Sequence, residues 1–133
     1  MSRHTVRDAL VALAWGASFN QVLGYGPEDL AGATKVLAIY NLGTKNTTET
    51  AGFNRAFHRF ALEVYILRAG APTEDDLDAC ADAIRSVCQT AANVSNANWE
   101  DLSLDTDSEA GFAEVSGQAY RIERFTATVK EII

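Results

Sequence analysis

From Phe57 to Ile66 the chain alternates without a break. His58, Phe60, Leu62, Val64 and Ile66 fall on one side, and Phe57, Arg59, Ala61, Glu63 and Tyr65 on the other. A period of two is the repeat of a β-strand, in which successive side chains point to opposite faces. One side is apolar and the other mixed, so the strand is predicted to bury one face. With Leu67 and Arg68 the run reaches Phe57–Arg68, long for a strand, and it belongs centrally in a sheet or projects beyond one. Any fold of this chain must give that strand hydrogen-bonding neighbours and cover its apolar face.

The cover is signalled next. Pro72 precedes Thr73-Glu74-Asp75-Asp76, a capping-box start with acids in the first turn. Leu77, Ala81, Ile84, Val87, Cys88 and Ala91 then form an apolar stripe at helical spacing, ending near Asn93. Cys80 and Cys88 lie in this helix. At about 1.5 Å rise per residue their Cα atoms stand roughly 12 Å apart. A disulfide needs less than about 7 Å, so the two are read as core thiols of a reducing compartment.

Upstream, Thr5-Val6-Arg7-Asp8 is predicted to start a first helix that buries Val6, Leu10 and Leu13 and fades around Trp15-Gly16. The stretch Ala17–Thr34 is Gly-rich, with a turn at Gly24-Tyr25-Gly26-Pro27. Lys35–Leu42 reads as a buried strand. The polar, aperiodic Gly43–Gly52 is expected to be a long flexible loop. Downstream, Trp99–Leu104 and Gly111–Gln118 read as strands joined by an acidic turn, Asp105-Thr106-Asp107-Ser108-Glu109, with Gly117 as a bulge. Tyr120–Ile133 closes the chain as a long strand whose apolar phase slips near Arg124, which predicts another bulge. The fold class is therefore α+β. We expect a single domain, residues 1–133, with a mostly antiparallel or mixed β-sheet and two main helices, the second packed across one sheet face.

Composition narrows the function. Of 133 residues, 47% are hydrophobic and 22% charged, an ordinary globular balance. No apolar run approaches the roughly 20 residues needed to span a bilayer, and no signal peptide is read at the N-terminus. Eleven basic against 18 acidic residues leave a net charge of −7, which speaks against sequence-specific grip on nucleic acid. The charge is concentrated: residues 74–114 hold one basic residue and eleven acidic ones. Such a block makes part of the surface strongly negative.

Catalytic signatures are sparse. Gly24-Tyr25-Gly26 lacks the third glycine of a dinucleotide loop. His58 is read as a satisfied, partly buried histidine. Asp105 to Glu109 opens like a calcium loop, but Ala110 stands where that loop needs glycine and Ser116 where it needs glutamate. No catalytic residue, metal or cofactor is expected. A long loop, a negative side and long strands carrying aromatics such as Tyr65 and Tyr120 suit a protein that binds neighbours.

In layout the chain is similar to the tail terminator proteins of long-tailed bacteriophages, the group of the lambda-type minor tail protein U. The resemblance rests on the N-terminal helix from Thr5, the strand Val36–Leu42, the loop Gly43–Gly52, the long strand Phe57–Arg68, the capped helix from Thr73, and the closing run Tyr120-Arg121-Ile122-Glu123-Arg124-Phe125-Thr126-Ala127-Thr128-Val129. It implies a structural virion protein, assembled in the host cytoplasm and forming a hexameric ring on the head-proximal end of the tail tube. The ring ends tube polymerisation, presents a joining surface to the head connector, and lets duplex DNA pass without specific binding. No membrane partner is expected. On this view Thr44, Lys45, Asn46, Thr47, Thr48, Glu49 and Thr50 would contact the tube or a neighbouring subunit. Asp101, Asp105, Asp107, Glu109 and Glu114 would line the hole or face the connector. Another neck or head-completion protein, a non-viral binding module and an enzyme remain as alternatives.

Overall fold

The computed structural model describes residues 3–27, 30–48, 54–68, 70, 72–93 and 99–132. Helix α1 (Arg3–Val11) is followed by a short 3-10 turn (Gly16–Ser18) and then by strands β1 (Gln21–Leu23), β2 (Lys35–Thr48) and β3 (Asn54–Leu67). Helix α2 (Pro72–Asn93) precedes strands β4 (Asp101–Leu104), β5 (Glu109–Val115) and β6 (Gln118–Ile132). Six strands form one sheet in the order β1-β2-β3-β6-β4, with β5 also on β6. The class is α+β, and α2 packs across one face on β3, β4 and β6.

The alternating strand lies in the centre, between β2 and β6. Its even-numbered residues and their cross-strand partners build the main core. Phe60, Leu62, Val64, Ile66, Phe125, Ala127 and Val129 meet Val6 and Leu10 of α1 and Leu77, Cys80, Ile84 and Cys88 of α2. The opposite face carries a smaller core at one end: Leu23, Leu30, Val36, Ala38, Tyr65 and Tyr120. Both helices sit on the first face, and among the described residues the second face has no helix over it.

This two-sided burial explains one departure from expectation. The apolar phase in the closing strand does switch, from Tyr120 and Ile122 to Phe125, Ala127 and Val129. Yet β3 and β6 pair in unbroken register from Arg55↔Ile132 to Leu67↔Tyr120, with no bulge at Arg124. The switch marks where burial passes from the second face to the first.

Other elements also differ. Helix α1 begins by Arg3, so Thr5 lies within it. The three-residue strand β1 pairs parallel to β2, which makes the sheet mixed. It is too short to show periodicity, and Asn20 holds it: its Oδ1 accepts bonds from Thr34 Oγ1 (2.6 Å) and from the Lys35 amide (2.9 Å). Gly117 is not a bulge. With Ser116 it forms the two-residue turn between β5 and β6, both at positive φ (49° and 79°), the geometry that matches strand twist in a tight hairpin.

The largest correction concerns Gly43–Gly52. Its first six residues are not loop: β2 runs through them to Thr48, paired with β3 as far as Thr48↔Asn54. Thr44, Lys45, Asn46, Thr47 and Thr48 are therefore strand residues, while Glu49 and Thr50 lie outside the described residues. The break in apolar pattern that suggests a loop is a register shift. Asn41 pairs with Phe60 but Gly43 with Arg59, so Leu42 is an extra residue, 37% exposed. The shift reverses the alternation beyond it, placing Thr44 on the helix-covered face and Lys45 on the open one.

Candidate functional site

The acidic run Asp105–Glu109 is likewise not a hairpin turn. Strands β4 and β5 do not pair with each other; both pair antiparallel with β6, in the same direction. Leu104 stands opposite Ala127 and Glu109 opposite Arg124. Five steps along the edge thus answer three along β6, so Asp105–Ser108 is a bulge of two extra residues in a single broken edge strand. It is pinned by the Asp105 amide on the Thr126 carbonyl (2.9 Å) and by the Ser108 hydroxyl donating to Glu123. Bulges and charges on an edge are devices that block unwanted strand addition.

The bulge overhangs the open face. Asp105, Asp107 and Glu109 border a cleft of about 440 Å³ whose other wall carries Arg59, Arg124 and Leu42. The structure thus brings three of the five expected acidic residues together. Asp101 starts the same edge strand, opposite Lys130. Glu114 stands opposite Ala119 near the β5–β6 turn, on the other face, and is separate from them. Of the remaining acids of the block, Glu100 pairs with Arg55 and Lys130 just before β4, and the others fall on α2, where Glu74, Asp75, Asp78 and Asp82 are exposed. One acidic block in sequence becomes two surfaces, because the sheet lies between them.

Two polar constellations escaped sequence reasoning. On the open face the Glu63 carboxylate, 5% exposed, accepts hydrogen bonds from the Tyr40 hydroxyl (3.2 Å), the Tyr65 hydroxyl and Arg124 Nε (3.2 Å). Burial, then the hydrogen bond to Glu63, holds the Tyr65 phenol far above its ordinary range. Burial and the charge of Glu63 raise Tyr40 as well, and the hydrogen bond with Glu63 raises Arg124. These shifts all favour the protonated donors around a charged acceptor. The available sign in the sequence was a glutamate in mid-strand with a tyrosine two residues on, hence on one face.

On the helix-covered face His58 is buried and bonded at both nitrogens. Its Nε2 lies 2.9 Å from Glu131 Oε1, and its Nδ1 lies 2.9 Å from Thr44 Oγ1. Arg3 Nη1 donates to the same Thr44 hydroxyl (3.2 Å). This chain ties α1, β2, β3 and β6 together at the far end of the sheet. A hydroxyl–imidazole–carboxylate row has the composition of a nucleophilic triad, and here it also clamps four elements together.

Exposed aromatics are few. Phe112 of β5 is 65% exposed and carries two guanidiniums, Arg121 at 4.5 Å and Arg68 at 5.0 Å from the ring centre. Arg121 also bonds Glu74 of α2 at 2.7 Å, which fastens the β5–β6 hairpin to the helix. Among the described residues no group of three or more His, Cys, Asp or Glu is placed to hold a metal ion. No helix among them is long and apolar enough to cross a membrane. No protein-family model matches the chain, and no curated protein matches it in sequence.

Proposed function

We propose that this protein is a tail terminator, a virion protein that forms a ring on the head-proximal end of a phage tail tube, stops tube growth and offers the joining surface to the head connector. The observation that carries the reading is the β2–β3 hairpin. Among the described residues, strand β2 has no strand on its outer side from Ile39 to Thr48, and one sheet face there has no helix over it. A long open edge beside an uncovered face is a surface that invites a protein neighbour. The element order around it supports the same reading: a helix before, a longer helix across the sheet after, and a closing strand beside the central one. The role proposed is mechanical. Duplex DNA passes through the ring, and the acidic edge Asp101, Asp105, Asp107 and Glu109 faces the hole or the connector, where like charge keeps DNA from adhering.

The test is electron microscopy of the purified protein, alone and added to polymerising tail tubes. Sixfold rings with a hole wide enough for duplex DNA, and tubes that stop at one capped end, are the expected result. Tubes that grow on unchanged in the presence of the protein would remove the reading. Rings that ignore the tube but bind the portal side of the head would reassign it to another neck component.

A further inference from the structure

We propose that copies of this chain join head to tail, with the acidic row on α2 of one copy seated on the cations Lys45 and Arg59 of the open sheet face of the next. This deepens the ring reading above and rests on it.

The helix side of the contact is a row of carboxylates without ion pairs among the described residues. Glu74 and Asp76 are engaged, with Arg121 and Lys35 respectively. Asp75, Asp78 and Asp82 are exposed and have no ion pair among the described residues. The nearest cation on the helix, Arg85, turns onto the Phe125 ring, 5.1 Å from its centre. Asp78 and Asp82 are four residues apart, so they stack on one side of the helix about 6 Å apart, a like-charge spacing that disfavours the isolated helix.

The sheet side is complementary. Arg55 and Lys130 pair with Glu100, and Arg124 with Glu63. Lys45 and Arg59 are exposed and have no ion pair among the described residues. Gly43↔Arg59 and Lys45↔Phe57 are successive same-face pairs, so Lys45 and Arg59 are diagonal neighbours, about 7–8 Å apart. Two cations without an ion pair among the described residues thus stand at nearly the spacing of two carboxylates in the same condition, and Arg59 also borders the cleft of Asp105, Asp107 and Glu109. The bulge at Leu42 creates this match, since without it Lys45 would point to the helix-covered face.

Geometry then selects the mode of assembly. The acidic row and the cations lie on opposite faces of one sheet, so a two-fold pair cannot satisfy both. A contact between unlike surfaces propagates, and it closes into a ring when the rotation per copy allows. The acids of the cleft, Asp105, Asp107 and Glu109, could alternatively meet Lys45 and Arg59 of a copy turned face to face. They border a cleft that also holds Arg59 and Arg124 of their own chain, and Arg59 has no ion pair to them. Asp75, Asp78 and Asp82, by contrast, have no ion pair among the described residues and line no such cleft with Arg59.

The experiment uses two variants of the full chain, Asp75→Lys/Asp78→Lys/Asp82→Lys and Lys45→Glu/Arg59→Glu, with folding checked by circular dichroism. Sedimentation velocity is expected to show wild-type assemblies that dissociate as salt is raised. Each variant alone should assemble at least about tenfold more weakly, since several exposed pairs turn repulsive. An equimolar mixture should recover assembly, because the lysine helix of one variant meets the glutamate face of the other. Monomeric wild-type protein at low salt, variants that assemble normally, or a mixture that stays apart would each overturn the contact. Sixfold rings persisting in both variants would overturn it and leave the ring reading standing. Charge-rescued assemblies without an open hole would keep the contact and remove the tail-terminator reading. Loss of assembly in Asp105→Lys/Asp107→Lys alone would assign the face-to-face pair instead.

Discussion

Glu63 sits in the middle of the most hydrophobic strand of the protein and is nearly out of water. A lone buried carboxylate is costly, and here three donors from β2, β3 and β6 surround it. Removing one donor by Tyr65→Phe should cost about 1–3 kcal/mol, measured by urea unfolding at neutral pH. The substitution should also change the alkaline limb. The folded-state pKa of Tyr65 is raised above its unfolded value of about 10, so its contribution is complete below pH 10 and is lost as pH climbs beyond. Wild-type stability should fall more steeply above pH 10 than that of Tyr65→Phe; parallel curves would show that Tyr65 is not held as described. The two thiols make a second case. Cys80 and Cys88 are buried on α2, and burial pushes each to about 11. At pH 8 a thiol reagent should label neither in the native protein at an appreciable rate and both on unfolding, because the thiolate is the reactive form.

Among the elements, those with a strong repeat are legible in the sequence. The central strand and the helix Pro72–Asn93 stand close to where the pattern places them, because each buries a continuous apolar face. The helix already begins at Pro72, however, so Thr73 lies inside it and is not its cap. The closing strand is also found, but its burial changes face near Arg124 without a bulge. The second half of β2 is not legible there. Its residues, Gly43-Thr44-Lys45-Asn46-Thr47-Thr48, are polar and glycine-led; they are strand because β3 supplies hydrogen bonds, not because of their own propensity. Deleting Thr44–Thr50 would therefore not trim a loop; it would remove the tip of β2 and the Thr44 partner of His58. A sharper probe is Gly43→Ala. Gly43 has φ +147° with open space where a Cβ would go, so the penalty is conformational and not steric. It should destabilise the protein by about 1–3 kcal/mol in urea unfolding. A neutral effect would mean that the bulge relocates.

For the assembled fold, charge placement matters more than net charge. The block 74–114 reads as one negative side, but the sheet separates the α2 acids from those of the β4–β5 edge. If the edge faces the hole, Asp101→Lys/Asp105→Lys/Asp107→Lys should make the ring retain DNA and lower infectivity, with the net charge moving from −7 to −1 (three changes of +2). Gel shift with duplex DNA and a plaque assay read the two effects, and unchanged infectivity would remove the edge from the hole.

What the residues dictate on their own is local: which segments repeat every two or every 3.6 positions, where helices are capped, and how much apolar surface demands cover. Those terms act between near neighbours, and they are enough to define an α+β domain with a long central strand. Which acids share a surface, which donors besides Tyr65 find Glu63, and on which face Lys45 stands are set by partners distant in the chain. For Glu63 those partners, Tyr40 and Arg124, are 23 and 61 positions away. A single extra residue at Leu42 reverses the facing of everything after it in β2, and only pairing with β3 reveals that it is there.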